Sequence, residues 1–236
     1  MPYQRVLLKL SGEALGARDT GHGLDPDAVN QVARQIAHVA GLGVEIALVC
    51  GGGNILRGAE FSEMGTNRAS SDYMGMLGTV INGVAICEAI EAAGCQSRLM
   101  SALDIRQVAE PFVRRRALRH LERGRVVVLA AGTGNPFFTT DTAAALRASE
   151  LGCEVLLKAT KVDGVYSSDP KQDPSAERYT RLSYMQVLER GLKVMDGTAI
   201  TLAMEKQLPV LVFDLFEHGN IERATKGDEI GTLISP

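Results

Sequence analysis

The chain has 236 residues, 45% hydrophobic and 22% charged, with a formal net charge of −3. This balance fits a globular protein with a sizeable core and excludes a bulk field that would draw in nucleic acid or an acidic membrane. Four cysteines without C-x-x-C spacing and four scattered histidines give neither a disulfide framework nor a metal-finger pattern, and read as buried thiols in a reducing cytosol. The N-terminus lacks the apolar core of a signal peptide, and the longest uncharged window, Tyr73 to Cys87, falls short of the roughly 20 residues that span a bilayer. The expectation is a cytoplasmic protein.

Arg5 to Leu10 is a short apolar run containing Lys9 and ending in Ser11-Gly12-Glu13, a first strand and its turn. A lysine there either lays its stem over apolar surface or aims its ammonium at a phosphate. Gly16 to Gly23 reads as a mobile glycine-rich loop. Asp25-Pro26 then opens a helix with Val29, Val32, Ile36 and Val39 on one face, which ends at Gly41-Leu42-Gly43. Val44 to Cys50 is a second strand running into Gly51-Gly52-Gly53-Asn54, where missing Cβ atoms let the backbone approach a ligand. The stretch is neither a P-loop nor a dinucleotide fingerprint. Arg57, one helical turn further on, either forks onto a phosphate or stays solvated.

From Ser70-Ser71-Asp72 a long helix runs from Tyr73 to Ala93, apolar nearly all round, with Gly78, Asn82 and Gly83 allowing close approach at a subunit interface. Asp72 stands at its start, where the helix dipole favours a carboxylate whatever else it does. Ser97 to Ser101 is a strand. Pro111 to Gly124 carries Arg114, Arg115, Arg116, Arg119 and Arg123 against Glu110 and Glu122. Without interleaved aromatics it reads as a solvated face or an anion site rather than a nucleic-acid surface.

Val126 to Ala131, the stretch Gly132 to Asp141 and the Ala-rich run to Gly152 read as strand, glycine turn and helix, with Thr139 and Thr140 as caps. Unpaired first-turn N–H groups facing a strand end favour an anion, phosphate first. Glu154 to Ala159 is the next strand. Asp163-Gly164 signals a hairpin or bulge, Tyr166 either walls a purine or lies half-buried in a strand, and Asp169-Pro170 begins an ordered loop. Ser183 to Gly191 and Thr198 to Lys206 read as helices, Pro209 to Phe213 as a strand, Gly219 to Thr225 as a short helix and Gly231 to Ser235 as a terminal strand. The alternation gives an α/β fold, mainly parallel, with helices on both faces and the glycine turns along one sheet edge.

Taken together, Lys9-Leu-Ser-Gly12, Gly51-Gly-Gly-Asn-Ile-Leu-Arg-Gly58, Asp72-Tyr-Met-Gly-Met-Leu-Gly78, Gly132-Thr-Gly-Asn-Pro-Phe-Phe-Thr-Thr-Asp141 and Lys158-Ala-Thr-Lys-Val-Asp-Gly-Val-Tyr166 closely resemble the bacterial uridylate kinases of the amino acid kinase family. The resemblance runs in order from about Val6 to the C-terminus. It implies one three-layer αβα domain over residues 1–236, its N-terminal part mainly binding UMP and its C-terminal part mainly binding ATP. The implied activity is ATP-dependent, Mg²⁺-assisted phosphorylation of UMP to UDP by a homohexamer, with GTP as activator, UTP as inhibitor and no need of nucleic acid or membrane.

Residue by residue, the resemblance gives Lys9, Leu10, Ser11, Gly12, Gly53, Arg57, Thr160, Tyr166 and Asp169 to ATP. It gives Gly52, Asp72, Thr133, Gly134, Asn135, Pro136, Phe137, Phe138, Thr139 and Thr140 to UMP. Lys9, Asp141 and Arg57 are the implied catalytic groups, with Asp141 and, less directly, Asp196 reaching Mg²⁺ through water. Phosphoryl transfer needs two anions in line and neutralised equatorial oxygens, so no attacking side chain is required. Small-acid kinases of the family use a second, late lysine; near Met195-Asp196-Gly197-Thr198 none takes its place, and Arg57 is the expected compensation. Arg98, Arg119, Arg123 and Arg125 form the expected effector cluster if Val126 lies beside the strand holding Arg98. The rival readings are a non-catalytic nucleotide sensor and a carboxylate or carbamate kinase, the latter disfavoured by Gly134-Asn-Pro-Phe-Phe-Thr-Thr140.

Overall fold

The computed structural model describes residues 3–56, 65, 67–170, 172–173 and 175–236; Arg57 lies outside the described residues. β1 (Arg5–Leu10) passes through a 3-10 turn (Gly12–Ala14) to α1 (Pro26–Gly41) and β2 (Glu45–Cys50). The long α2 (Arg68–Ala92) leads to β3 (Ser97–Ser101), β4 (Glu110–Pro111), α3 (Arg114–Leu121) and β5 (Val126–Ala130). Then come α4 (Thr140–Leu151), β6 (Val155–Thr160), β7 (Val165–Tyr166), β8 (Arg178–Tyr179) and β9 (Arg181–Ser183). The chain closes with α5 (Tyr184–Glu189), α6 (Gly197–Glu205), β10 (Val210–Asp214), α7 (Asn220–Lys226) and β11 (Thr232–Ser235).

Nine strands make one sheet in the order β4-β3-β5-β2-β1-β6-β10-β11-β9, and β7 pairs with β8 in a separate ribbon. Within the sheet only β10 and β11 run antiparallel. The strand sequences dictate this: β2 and β5 are apolar and buried almost throughout, as strands covered on both faces must be. Residues of α1, α2 and α7 fill the core on one face, and residues of α3 to α6 fill it on the other. Both sheet edges are short, with two residues in β4 and three in β9.

Local signals set the helix ends. The Asp25 carboxylate accepts from Asp27 N at 2.9 Å with Pro26 as the first helical residue. Gly152 ends α4 in the left-handed region at φ 65°. The start of α2 differs from expectation. Asn67 is the cap, accepting from Ala69 N at 2.9 Å, so Asp72 sits in the second turn and caps nothing. Gly78, Asn82 and Gly83 also turn inward: a Cβ on Gly83 would meet Leu99 Cδ1 at 2.6 Å, and one on Gly78 would meet Gly52 O at 3.3 Å. The exposed apolar stripe of α2 is instead Tyr73, Leu77, Ile81 and Val84.

By length and composition α2 could cross a membrane, although its inner side is built into the core. Three cysteines are buried as expected, and burial pushes the Cys50 and Cys153 thiols up to about 12 and Cys87 to about 11. Cys95 departs from expectation by being half-exposed.

Candidate active site

In β1, Val6, Leu8 and Leu10 belong to the core on the α1 face, so the alternation of a strand sends Leu7 and Lys9 to the opposite face. The same holds in β6, where Val155, Leu157 and Ala159 face α1 and Leu156 and Lys158 face α4. These strands are parallel neighbours with Lys9 directly opposite Lys158. Between the two ammoniums stands Asp141, delivered by the first turn of α4. Its Oδ1 lies 2.9 Å from Lys9 Nζ and its Oδ2 2.7 Å from Lys158 Nζ. Lys158 also donates to the Val194 carbonyl.

Burial alone would raise the Asp141 carboxyl, but the two ammoniums outweigh it and hold the group below the usual carboxylate range. Burial lowers the Lys158 ammonium from its ordinary value, against the opposing pull of Asp141. Asp141 is therefore an ionised strut, unsuited to act as a base: Oδ2 accepts a hydrogen bond from Lys158, and Oδ1 forms an ion pair with Lys9 without hydrogen-bond geometry. Two ammoniums and one carboxylate leave one net positive charge at the strand ends. The helix after β1 packs on one face of the sheet and those after β6 on the other, so this is the topological switch point where open α/β sheets collect ligands.

The sequence reading missed Lys158 as a functional residue. The signal was present: Val6-Leu-Leu-Lys9 and Val155-Leu-Leu-Lys158 are the same four residues and pair in register. A second lysine beside Lys9 is thus provided by the sheet, not by the segment around Met195; the compensation expected of Arg57 lies outside the described residues.

The glycine turns close around this charge. A Cβ on Gly12 would lie 2.5 Å from both Asn54 Oδ1 and Gly51 O, so only glycine lets the turns after β1 and β2 touch. They are held by a buried amide pair: Asn54 Nδ2 donates to Asn82 Oδ1 at 3.0 Å and Asn82 Nδ2 to Asn54 Oδ1 at 2.7 Å. The remaining N–H groups donate to Gly23 O at 2.6 Å and Gly51 O at 2.7 Å. After β5, Ala131, Gly132, Gly134 and Phe137 all have positive φ. Thr79 Oγ1 accepts from Ala131 N at 2.7 Å and ties this turn to α2.

Two cavities flank the lysine pair. One, of 160 Å³, is lined by Gly52, Gly53, Asp72, Thr133, Phe138, Thr139 and Thr140, among others. Gly134 to Phe137 form no part of its lining. Gly134 packs against Ala102, Asn135 N donates to Thr133 Oγ1 at 3.2 Å, and Phe137 N donates to Asp72 Oδ2 at 2.7 Å. Asp72 also pairs with Arg68 at 3.0 Å. The other cavity, of 530 Å³, is lined by Lys158, Thr160, Tyr166, Asp169 and Lys193 with their neighbours. The Tyr166 hydroxyl donates to Asp163 Oδ1 at 2.7 Å, leaving its ring to the wall. A third cavity, of 370 Å³ against Glu13, Arg18 and Phe216, holds none of the expected residues.

Asp196 proves to be a helix strap. Its carboxylate caps α6 through Ala199 N at 3.0 Å and accepts from the hydroxyls of Thr139 and Thr142, the latter at 2.8 Å. Among the described residues no group of three or more His, Cys, Asp or Glu is placed to hold a metal. With Asp141 and Asp196 both engaged, the donor set suits a metal carried on phosphate oxygens rather than one bound directly by the chain. In the arginine-rich segment, Arg98 lies opposite Val127 in the β3–β5 pair, so the strand holding Arg98 does run beside Val126. Arg98 pairs with Glu91 at 3.4 Å, Arg125 donates to Gln96 Oε1 at 2.9 Å, and Arg119 and Arg123 are exposed.

These features define an α/β protein with a buried Lys–Asp–Lys cluster at the strand ends between two cavities. Residues 4–214 match the amino acid kinase family, and the chain belongs to that family. Solved structures to which it is similar include UMP kinase from Bacillus anthracis, 40% identical with a TM-score of 0.96, covering 100% of this chain and 97% of that one. UMP kinase from Ureaplasma parvum is 34% identical with a TM-score of 0.93 and full coverage of both chains. Uridylate kinase from Archaeoglobus fulgidus is 31% identical with a TM-score of 0.74, covering 98% and 99%.

Proposed function

We propose that this protein is a UMP kinase, transferring the terminal phosphoryl group of ATP to UMP to give UDP and ADP. The observation that carries the reading is the placement of the Lys9–Asp141–Lys158 cluster. Thr140, which lines the smaller cavity, precedes Asp141, while Lys158 itself lines the larger. The cluster thus stands where a monophosphate from one side and a triphosphate from the other would meet. Likeness over the whole chain to three kinases named for UMP or uridylate supports the substrate choice.

UMP occupies the cavity of Gly52, Asp72, Thr133 and Phe138 to Thr140, and ATP that of Thr160, Tyr166 and Asp169, so the halves of the chain divide the substrates. The UMP phosphate oxygen is already a nucleophile and needs no base. Lys9 and Lys158 neutralise the equatorial oxygens of the phosphoryl group in flight, Asp141 fixes both ammoniums, and the N–H groups of the glycine turns and of α4 hold the flanking phosphates. Mg²⁺, bound to the ATP phosphates, supplies further charge neutralisation.

The apolar stripe of α2 supports a homo-oligomer, a hexamer in this reading, and Arg98, Arg119, Arg123 and Arg125 support an anionic effector site for GTP or UTP. Buried thiols and these substrates suit the cytoplasm. The experiment is a coupled assay of ATP with UMP, CMP, dTMP and N-acetylglutamate. UMP as the preferred acceptor supports the reading; turnover of another acceptor, or nucleotide binding without turnover, overturns it.

A further inference from the structure

Four serine and threonine hydroxyls are buried in helices among the described residues: Ser71, Thr79, Thr142 and Thr225. Three are bonded, Thr79 to Met76 O at 2.7 Å, Thr142 to Asp196 Oδ1 at 2.8 Å and Thr225 to Glu222 O at 2.8 Å. Ser71 differs. It is 0% exposed, and its Oγ has no hydrogen-bond partner. A serine in a helix ordinarily bonds back to a carbonyl of the preceding turn, as Ser149 does to Ala145 O at 2.8 Å. A sealed hydroxyl with no partner is costly and calls for a ligand to complete it.

Ser71 forms part of the wall of the 160 Å³ cavity, next to Asp72. One helical turn on, Gly75 and then Thr79 face the glycine turn after β2: a Cβ on Gly52 would lie 2.6 Å from Gly75 O and 3.1 Å from Thr79 N. Ser71 therefore shares the face of α2 that borders this turn. Among the described residues the lining holds no Lys or Arg, and its hydroxyl-bearing side chains are Ser71, Thr79, Thr133, Thr139 and Thr140.

We propose that Ser71 is a substrate-binding residue whose Oγ–H, on rotation about χ1, donates to a sugar-phosphate oxygen of the nucleoside monophosphate. This rests on the reading of the smaller cavity as the acceptor site. The bond forms only when the acceptor is present, and its placement beside the glycine turn makes it indifferent to the base.

Ser71→Ala removes one oxygen from a helical site where alanine is favoured, so the fold is retained. The expected melting temperature without ligand is equal to or above that of the wild type. Calorimetric titration should show affinity for UMP and for CMP weakened by the same factor, on the order of 5- to 20-fold for a charge-assisted bond, with KM for ATP unchanged. Unaltered UMP affinity, a loss confined to UMP, or a lowered melting temperature would each overturn the inference. A wild-type protein that binds neither monophosphate removes the functional reading and this inference together, whereas normal wild-type binding with an indifferent variant removes the inference alone.

Discussion

Lys9 and Lys158 are register partners in adjacent parallel strands and close on the two oxygens of one carboxylate, at 2.9 and 2.7 Å. Two like charges are tolerated side by side only because Asp141 bridges them. The three residues should therefore respond to mutation as a unit, with different costs to the fold. Lys158→Met removes a charge that burial already disfavours, keeps the apolar stem, and should lower kcat by roughly 10²-fold or more at near wild-type stability. Lys9→Ala should cut kcat comparably.

Asp141→Asn strands two ammoniums and should cost about 3–5 kcal/mol of stability as well as activity. Urea titrations and single-turnover kinetics on the three variants check this. A folded Lys158→Met enzyme at wild-type rate would remove Lys158 from the mechanism.

Activity should fail early at alkaline pH. Burial lowers Lys158 from its ordinary value of 10.5, so kcat/KM should fall with a midpoint below that value as the ammonium is lost. Lys158→Arg should abolish that limb. Stability behaves oppositely in the same window: the folded state holds fewer protons than the unfolded chain, so the Lys158 contribution rises with pH. Asp141, lowered from 3.8, stabilises above that pH and loses its contribution as pH falls through its folded value. Denaturant titrations across pH, with Asp141→Asn as control, test both signs.

Asp72 caps no helix, which sharpens its test. Its carboxylate holds Phe137 N at 2.7 Å, where Phe137 has φ 72°. Asp72→Asn retains an acceptor but loses the charge facing the acceptor cavity, and should raise KM for UMP several-fold more than KM for ATP. Equal effects on both would assign Asp72 to loop support alone.

Tyr73, Leu77, Ile81 and Val84 form one outward stripe on α2, each at least 38% exposed. Leu77→Glu with Ile81→Glu should reduce the sedimenting mass of the protein while leaving its circular dichroism unchanged. An unchanged mass would move the interface elsewhere.

GTP should alter the UMP kinase rate through the α3 segment. Arg119→Ala/Arg123→Ala should raise the half-saturating GTP concentration by about tenfold if the guanidinium groups grip a triphosphate. An unshifted value removes this segment as the effector site.

The long strands were legible because each is a short apolar run bounded by glycine or polar turns, and α1 because Asp25-Pro26 states its start locally. The motifs carried part of each lining, whereas Lys9 to Gly12 and Gly134 to Phe137 line neither cavity. Other features are non-local. β4, β7 and β8 have two residues each and exist only through distant partners, so no periodicity announces them. The start of α2 was misread because its apolar pattern begins at Tyr73, while Asn67 and the Arg68–Asp72 pair build an earlier, polar first turn. The bonds of Asp196 were not legible because its sequence position is silent about the two threonines that donate to its oxygens. Lys158 was missed because a lysine in an apolar strand declares its role only beside Lys9.

The two ends of the sheet are guarded in different ways. β4 finishes in Pro111, which offers no N–H, and β9 presents only three residues led by the exposed Arg181. Both margins of the sheet are blunted in this way, which disfavours the addition of one copy's sheet to another's. A contact between copies is therefore expected on a helix surface, such as the Tyr73-Leu77-Ile81-Val84 stripe, rather than along a strand edge.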